Sequence, residues 1–596
     1  MLFLAASVLS EFPDEVYNYK RMYRSLLFLS LILSLCRCAS KHQPSPFAPY
    51  LPTQPEEVLS SAQLAESTNL ESQSELAPLA KKRLYDLYLI ELKNISSQSK
   101  RASELSEKIK ILKPEVETFL EELEKLSQLS ESPAPEKNEK NGFSDSGLRQ
   151  KYQQAYQSWN QDQNQKALEQ VELIIQSQDL QKKASSSDWL RVLNLRFRIL
   201  FDLKDSAKSA EAYSALKNHE KCAAETAQAG FLVSLLHFVE GKSEEGKNLL
   251  LEQCDSDDSI SNRVKKAYWL FRMSSEGSAD QEKYWKELRS VPLPGYYNYL
   301  ADIKKGQDSL FPLETLSQTK TFETSSAVEE WIRKAEERIQ FGLRKDANKF
   351  LLLAKERLIS DAKGNLQALL YLSRLFQAAG NHLEAMKIVN AILMGEENGE
   401  PIQSSEAVAE FVHLFHQPML EQVQWLGKTW SVDPDFIFSI MRQESAFNPG
   451  AVSRVGAKGF MQLMPNLAKF LMEQWRTPRP SSNGYLFRGS ENIKLASYHL
   501  NQLNQIAPHP ALVAAAYNAG INRVSSWWKR AGHYPLDVFV EFIPINETRN
   551  YVKLVLRNYL YYKAIKNEGR VSKELISLQL PPSPTGAADR ETALQP

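Results

Sequence analysis

The spacing of apolar residues predicts helices along most of the chain. In residues 79–126, an apolar stripe of Leu84, Leu87, Leu89 and Leu92 is continued by Leu105, Ile109 and Leu112, and Phe119, Leu120, Leu123 and Leu126 follow, as on one face of a helix. We interpret this segment as a helical hairpin or a short coiled coil. Residues 127–147 are rich in Ser, Pro and Glu, which predicts a linker before the next helices.

Consecutive amphipathic helices with short polar breaks follow over residues 148–404. Two stretches, Tyr152 to Ile175 and Leu370 to Leu393, resemble tetratricopeptide repeats, because a polar break separates two helices and an alanine follows it. The chain shows no clean repeat period of about 34 residues. Two interpretations are therefore open, a solenoid of stacked helix pairs and an irregular helical array. Both predict an all-α fold, with a further α-helical domain at the C-terminal end.

Residues 1–40 have the pattern of an export signal. A short basic stretch precedes an apolar run from Ser25 to Leu35, which is too short to span a bilayer comfortably. Because acidic residues precede Met22, Met22 is a candidate for the true start. Leu33-Ser34-Leu35-Cys36 is similar to a lipoprotein processing site. We expect an exported, periplasmic protein, with three alternatives: a lipid anchor on Cys36, simple cleavage, or an uncleaved signal anchor.

Polar, low-complexity sequence flanks the helices at both ends. Residues 41–78 predict a disordered tether, and residues 571–596 a disordered tail. Two of the four cysteines lie in the signal region, which leaves Cys222 and Cys254. Export would permit a disulfide bond between them, and two free, buried thiols are the alternative.

Charge is distributed unevenly along the chain. The whole chain has 72 basic and 72 acidic residues, whereas the segment from Trp425 to Lys566 has 17 Lys/Arg and 8 Asp/Glu, a net charge of +9. This basic region suits a polymer that bears carboxylates, and ordinary surface charge is the alternative. No metal-binding or nucleotide-binding motif is present in the sequence, so we expect no cofactor, no metal and no nucleic-acid partner.

One predicted helix near the C-terminus has a carboxylate on its apolar face. Asp433-Pro434 predicts the start of a helix that ends near Ser445. Within it, Glu444 continues the apolar stripe of Ile437 and Met441. Burial raises the pKa of a carboxyl group, as a general acid near neutral pH requires. The alternative is a carboxylate at the helix end that faces solvent or makes a structural ion pair.

Three further motifs follow this helix. They are Gly459-Phe460-Met461-Gln462 with Met464-Pro465, Ala516-Tyr517-Asn518-Ala519-Gly520, and Glu547-Thr548-Arg549 with Tyr551-Val552. Ser453 and Gln462 stand nine and eighteen residues after Glu444. Gly459 permits close backbone approach, and Gly520 is placed to end a helix. Taken singly, each motif is also explained by ordinary helix ends or core packing.

Together with Glu444-Ser445, these motifs resemble the catalytic domain of the soluble lytic transglycosylases, which has a goose-lysozyme-like helical fold. The resemblance covers about 140 residues, from Leu426 to Lys566, and we assign the domain to residues 405–570. The helices before it are similar in kind to the superhelical domain of the large soluble members. Phe460 replaces the usual aliphatic residue, and Ile521-Asn522 replaces a frequent Pro-Gly, which affects that loop only.

The resemblance implies cleavage of peptidoglycan between N-acetylmuramic acid and N-acetylglucosamine. Glu444 would protonate the glycosidic oxygen and then deprotonate the muramic C6 hydroxyl, which attacks C1 and closes a 1,6-anhydro ring. For Met461, Met464 and Tyr551, packing explains the residue as well as substrate contact does, and Arg549 is expected to anchor its helix. The substrate-binding residues implied by the family are Ser453, Met461, Gln462, Met464, Tyr517, Asn518 and Glu547.

Two other functions remain open at this point. A goose-type lysozyme would use water as the acceptor and release reducing muramic acid. A catalytically inactive scaffold would bind the cell wall without turnover. The expected partners are peptidoglycan strands, together with other cell-wall enzymes that contact the helical array.

Overall fold

The computed structural model shows a chain built almost entirely of helices. It describes residues 78–94, 100–130, 143–161, 163–253, 259–313, 322, 324–360, 366–394, 404–475 and 483–583. Within these ranges there are 25 α-helices, a short 3-10 helix and one sheet of two strands. The predicted all-α class is confirmed there, because each strand has only two residues. None of these helices is both long and apolar enough to cross a membrane.

The first two described helices pack against each other. They are α1 (Pro78–Asn94) and α2 (Lys100–Ser130). Leu84, Tyr88 and Leu105 form the buried core between them. The apolar stripe of this segment is therefore the surface through which the two helices meet.

A long array follows, in which most helices pack against their neighbours in sequence. Its elements are α3 (Ser146–Asn160), α4 (Asn164–Ile175), α5 (Gln178–Lys183), α6 (Ser186–Asp202), α7 (Ser206–His219), α8 (Ala224–Val239), α9 (Ser243–Leu251), α10 (Ile260–Met273), α11 (Ala279–Arg289), α12 (Tyr296–Lys304), β1 (Ser309–Leu310), α13 (Ser326–Gln340), α14 (Arg344–Ser360), α15 (Leu366–Ala378), α16 (His382–Met394) and α17 (Ser405–His413). Polar caps start several helices, as where Asp145 accepts a hydrogen bond from the Leu148 amide at 2.7 Å. Helix lengths range from 6 to 17 residues.

The C-terminal region is organised around one long helix, α25. The elements here are α18 (Leu420–Trp430), α19 (Pro434–Ser445), α20 (Pro465–Gln474), the 3-10 helix (Asn483–Phe487), α21 (Gly489–Ile506), α22 (Pro510–Ala519), α23 (Ile521–Ala531), α24 (Leu536–Glu541), α25 (Asn546–Lys566) and β2 (Arg570–Val571). Helix α25 packs against α19, α22 and α24, so it touches most of the elements that surround Glu444.

Buried polar contacts join the helical array to this C-terminal region. Asp537 of α24 accepts hydrogen bonds from Tyr268 Oη at 2.6 Å and from Arg272 Nε at 2.7 Å, both on α10. The Asp537 side chain is completely buried. Because a buried charge is costly unless it is paired, the pair with Arg272 helps to specify how the two regions pack.

The C-terminal tail differs from the sequence prediction. Residues 571–596 were expected to be disordered, but β2 pairs antiparallel with β1 of the helical array. Further along, the Trp528 indole donates a hydrogen bond to the Pro581 carbonyl oxygen at 2.9 Å. The prediction is therefore wrong for residues 571–583, because partners distant in sequence satisfy the backbone of this polar segment. The rest of the tail lies outside the described residues.

Other predictions concern parts of the chain that the structure does not describe. The predicted signal, Cys36 and the tether up to residue 77 lie outside the described residues. Cys222 is disulfide-bonded. Cys254, its candidate partner, also lies outside the described residues.

Candidate active site

Helix α19 places a carboxyl group at the edge of the core. It has the predicted bounds, and the Asp433 side chain caps its start by accepting a hydrogen bond from the Asp435 amide at 2.9 Å. Ile437 and Met441 on its apolar stripe are completely buried. Glu444, which continues the stripe in the last turn, is partly exposed. The stripe therefore ends where the core meets the surface.

The surroundings of Glu444 favour its neutral form. Burial is the main cause that raises the pKa of this carboxyl from 4.5 to about 7; a hydrogen bond from Tyr551 opposes the shift, and the negative charge of Glu547 adds to it. The C-terminal end of α19 also carries a partial negative charge, which disfavours an anion there. At neutral pH the group is therefore both an available acid and, after losing its proton, an available base.

Tyr551 of α25 is the direct partner of this carboxyl. Its hydroxyl donates a hydrogen bond to Glu444 Oε1 at 2.6 Å. Two turns further along α25, the Tyr559 hydroxyl donates to Asp433 Oδ2 at 2.8 Å, at the opposite end of α19. The two helices are therefore antiparallel, and their pairing brings Tyr551 to Glu444. The sequence left packing and substrate contact open for Tyr551, and the structure shows neither of these alone but a hydrogen bond to Glu444.

Replacing Tyr551 by Phe is expected to raise the pKa of Glu444 from about 7 to about 8. The lost hydrogen bond stabilises the carboxylate by about 1.5 kcal/mol, and one pKa unit corresponds to about 1.4 kcal/mol. A ¹³C NMR titration of the Glu444 carboxyl carbon, identified by its loss in Glu444→Gln, measures this directly. Tyr559→Phe is the matched control and should leave the pKa of Glu444 unchanged. A pKa that falls or stays constant in Tyr551→Phe would contradict the assignment.

A buried asparagine holds the loop that faces Glu444. Asn492 accepts a hydrogen bond from the Met461 amide at 2.8 Å. Its side-chain nitrogen donates to the carbonyl oxygens of Lys458 at 2.9 Å and Leu486 at 2.8 Å. Gly459 lies against the same group, because an added Cβ would stand 2.2 Å from the Leu486 carbonyl oxygen. One side chain therefore bonds the loop at two points and ties it to the 3-10 helix.

The sequence interpretation did not identify Asn492. The sequence did contain a signal for Asn492, the same one that indicated Glu444: a polar residue on an otherwise apolar helix face. Asn492 stands four residues before Ala496 and eight before Leu500, and all three are completely buried on α21. A buried amide needs hydrogen-bond partners, and the sequence does not show which they are.

The end of α19 and the facing loop have a strained backbone. Ala446, Phe447 and Gln462 have φ values of +48°, +62° and +47°, although none is glycine. The Ser445 hydroxyl ties the two segments together by donating to the Phe460 carbonyl oxygen at 2.8 Å. Left-handed conformations of residues with side chains persist only where the surroundings enforce them, so the backbone around Glu444 is held in place by its contacts.

A hydrogen bond joins Tyr517 of α22 to Met461 of the loop that faces Glu444. The Tyr517 hydroxyl donates to the Met461 carbonyl oxygen at 2.7 Å. Burial raises the pKa of Tyr517, and the charge of Glu444 adds to the effect, which places this phenol near the carboxyl. The Met461 side chain is completely buried. Of the two alternatives for Met461, the structure favours packing.

The other predicted residues of the loop have mostly structural contacts. Ser453 Oγ accepts a hydrogen bond from the Ala457 amide at 3.0 Å, which closes a tight turn. Gln462 Nε2 donates to the Gly459 carbonyl oxygen at 2.9 Å. Met464 precedes α20 and is 39% exposed, so its side chain is available at the surface of the loop.

The start of α25 forms the third side of the site. Asn518 Oδ1 accepts a hydrogen bond from the Thr548 hydroxyl at 2.7 Å, which joins α22 to α25. Arg549 Nη1 donates to the Ile543 carbonyl oxygen at 3.0 Å, so Arg549 anchors its helix. Glu547 is exposed, and its charge acts on Glu444. The site thus combines the carboxyl groups of Glu444 and Glu547 with two tyrosine hydroxyls, and the hydroxyl of Tyr551 bonds Glu444.

Within the described ranges, no cluster of three or more His, Cys, Asp or Glu side chains has a geometry suited to a metal ion. The chemistry that the described site residues themselves support is proton transfer through Glu444. A carboxyl with a pKa of about 7 can give a proton to a leaving group and take one back at the same pH.

Comparisons with known proteins found similarity in the part of the chain that contains Glu444. Residues 422–539 match the family model for the transglycosylase SLT domain. The chain is 40% identical over 134 residues to the soluble lytic murein transglycosylase of Escherichia coli K12, covering 22% of this chain and 21% of that protein. It is 26% identical over 159 residues to the membrane-bound lytic murein transglycosylase C of Mannheimia succiniciproducens, covering 25% of this chain and 44% of that protein. The alignments thus span less than half of the length of these relatives.

A solved structure resembles the chain over a longer stretch. It is an inactive mutant of the lytic transglycosylase Slt from Pseudomonas aeruginosa, with a TM-score of 0.53 and 19% identity, covering 86% of this chain and 77% of that one. This similarity shows the fold, a helical array followed by an α-helical domain. Glu444 thus lies within residues 422–539, the part of the chain that matches the transglycosylase SLT domain.

Proposed function

We propose that this protein is a lytic transglycosylase that cleaves the β-1,4 bond between N-acetylmuramic acid and N-acetylglucosamine in peptidoglycan. The observation that carries the proposal is Glu444, a carboxyl with a pKa raised to about 7 by burial and bonded to Tyr551 at 2.6 Å. It lies within the SLT domain. The basic character of this region suits a polymer whose stem peptides bear carboxylates.

In the proposed reaction, Glu444 acts twice. Its proton passes to the glycosidic oxygen while the bond from that oxygen to C1 of the muramic sugar breaks. The resulting carboxylate then takes the proton of the C6 hydroxyl, whose oxygen bonds to C1 and closes the 1,6-anhydro ring. Glu444 ends protonated and no water is consumed. The attacking hydroxyl belongs to the same sugar, so its proximity lowers the barrier.

The residues around Glu444 have two roles: one stabilises its carboxylate and the others line the substrate groove. The Tyr551 hydroxyl stabilises Glu444 while it is a carboxylate, between the first and the second proton transfer. Tyr517 and Glu547 flank the carboxyl, and we assign them, with Ser453, Gln462, Met464 and Asn518, to the substrate groove. We assign the buried Met461 side chain to the core that supports this groove.

We extend the proposal to the location and architecture of the protein. The relatives include soluble and membrane-bound lytic murein transglycosylases, which agrees with action in the periplasm. We assign residues 148–404 to a scaffold that carries the catalytic domain and contacts other cell-wall enzymes. Attachment to a membrane through Cys36 is a separate part of the proposal, tested by labelling with a radioactive fatty acid.

Mass spectrometry of the soluble products tests the proposed reaction. Incubation of the purified protein with peptidoglycan is expected to release muropeptides that end in 1,6-anhydro-muramic acid. Products heavier by one water would show that water is the acceptor and that the protein is a hydrolase. Binding to peptidoglycan without any released product would show an inactive scaffold and overturn the proposal.

A further inference from the structure

A tyrosine of the helical array contacts α25, the helix that carries Tyr551. Tyr297 of α12 donates a hydrogen bond from its hydroxyl to Glu541 Oε1 at 2.5 Å. The same hydroxyl accepts a hydrogen bond from Lys553 Nζ of α25 at 2.7 Å. Lys553 Nζ also donates to Glu541 Oε2 at 2.9 Å. Three groups, from α12, α24 and α25, therefore form one closed cluster, which we call the Glu541 cluster.

The charges in this cluster hold it together. Glu541 is completely buried. Burial alone raises the pKa of such a group, but the positive charges of Lys553, Lys265 and Arg549 reverse this and lower it to about 2. Glu541 is therefore an anion at neutral pH, and a buried anion strongly favours the geometry that keeps all of its partners.

Helix geometry connects the cluster to the catalytic carboxyl. Tyr551 and Lys553 are two residues apart on α25, so their side chains leave the helix about 200° apart, on nearly opposite faces. One face bonds Glu444 through Tyr551, and the other bonds Glu541 and Tyr297 through Lys553. The helix is held between the two acids, and movement at one face shifts the groups on the other.

We propose that Tyr297 is a positioning residue for the reaction. Its hydroxyl, through Glu541 and Lys553, fixes α25 at the depth and rotation at which Tyr551 meets Glu444. The helical array thereby completes the active site without contacting the substrate. This inference rests on the proposed function for its kinetic consequences, and on the structure alone for the effect on Glu444.

Tyr299 provides a matched control on the same helix. It is also a buried tyrosine of α12, but its hydroxyl donates to the Ser572 carbonyl oxygen at 2.9 Å and accepts from the Ile576 amide at 3.1 Å. Tyr299→Phe therefore removes an equivalent hydroxyl that bonds the C-terminal tail, and leaves the Glu541 cluster intact. A general loss of packing would affect both variants alike.

The test compares Tyr297→Phe, Tyr299→Phe and Tyr551→Phe in the full chain. The first measurement is the ¹³C NMR titration of the Glu444 carboxyl, which needs no substrate. The pKa of Glu444 should rise in Tyr297→Phe, in the same direction as in Tyr551→Phe, and stay constant in Tyr299→Phe. The second measurement is the rate of glycan cleavage as a function of pH. In Tyr297→Phe we expect kcat to fall about tenfold because the acid is displaced, with KM nearly unchanged.

The outcomes separate the inference from the proposed function. An unaltered protein that releases no anhydro product overturns the function, while the NMR comparison still decides whether Tyr297 positions Tyr551. If Tyr297→Phe behaves like Tyr299→Phe in the titration, Tyr297 is only a packing residue and the inference is wrong. Thermal unfolding of both variants checks that they are folded, and Tyr297→Leu, which also lacks the hydroxyl and adds no volume to this buried site, provides a second variant if Tyr297→Phe unfolds.

Discussion

Glu444→Gln should reduce glycan cleavage about a thousandfold, since a positioned acid and base contributes this much to a proton-transfer reaction. Gln keeps the shape of the side chain and accepts a hydrogen bond from Tyr551, but it cannot release a proton. Binding to peptidoglycan should persist, because the groove and its charge are retained. The measurement is the rate of release of anhydro-muropeptides, with pelleting of the protein on insoluble peptidoglycan as the binding assay.

Glu421→Gln is the matched control for this loss. Glu421 is an exposed carboxylate in the first turn of α18, in the same domain, and its replacement should leave the rate unchanged. If Glu444→Gln retains a substantial fraction of the activity, another group supplies the proton and the assignment of Glu444 is wrong. Glu547, whose charge acts on Glu444, would be the next residue to replace.

The same substitution should also stabilise the protein at alkaline pH. The pKa of Glu444 is raised in the folded state, so its contribution to stability is lost as the pH rises from 4.5 through about 7. For a partly exposed group this loss is on the order of 2 kcal/mol. Gln carries no such cost. The thermal midpoint of Glu444→Gln should therefore exceed that of the unaltered protein at pH values above the pKa of Glu444, and the difference should shrink toward acidic pH.

Gly459→Ala should disrupt the loop that faces Glu444. Gly459 has φ +77°, and its added Cβ would lie 2.2 Å from the Leu486 carbonyl oxygen and 2.5 Å from Asn492 Nδ2. Neither the backbone nor a fully bonded buried amide can move without breaking other contacts. The left-handed backbone and the overlap together should destabilise the C-terminal domain by about 3 kcal/mol. Denaturant unfolding measures this effect, and glycan cleavage should fall with it.

Gly456→Ala separates the two causes. Gly456 has a similar φ of +88° in the same loop, but its added Cβ meets no atom of the described residues within 4 Å. This variant should lose only about 1 kcal/mol, for the left-handed backbone of a residue with a side chain. Equal losses in the two variants would show that the close approach to Leu486 and Asn492 is not what requires Gly459.

Much of the candidate site follows from local sequence signals. Asp433-Pro434 predicted the start of α19 and its stripe predicted the position of Glu444, because capping and helical periodicity act within a few residues. Gly520, with φ +86°, ends α22 as its position indicated. Pro465 opens α20 for the same kind of reason.

The partners of these residues did not follow from the sequence. Asn492 was missed because its bonds to the facing loop form only when α21 packs there. The hydrogen bond from Tyr551 to Glu444 was not predicted, since 107 residues separate the two. The tail after residue 570 was assigned to disorder, although residues 571–583 make hydrogen bonds to elements distant in sequence.

The sequence by itself determined the helical class, the ends of the helices around the site, and the one carboxylate on an apolar stripe. These depend on steric preferences and hydrogen bonds between near neighbours, which each segment expresses wherever it stands. Only the tertiary structure decided that Tyr551 bonds Glu444, that Asn492 holds the loop, and that Tyr297 reaches α25. These contacts arise when helices far apart in the chain pack together, and no local pattern records which side chains will then meet.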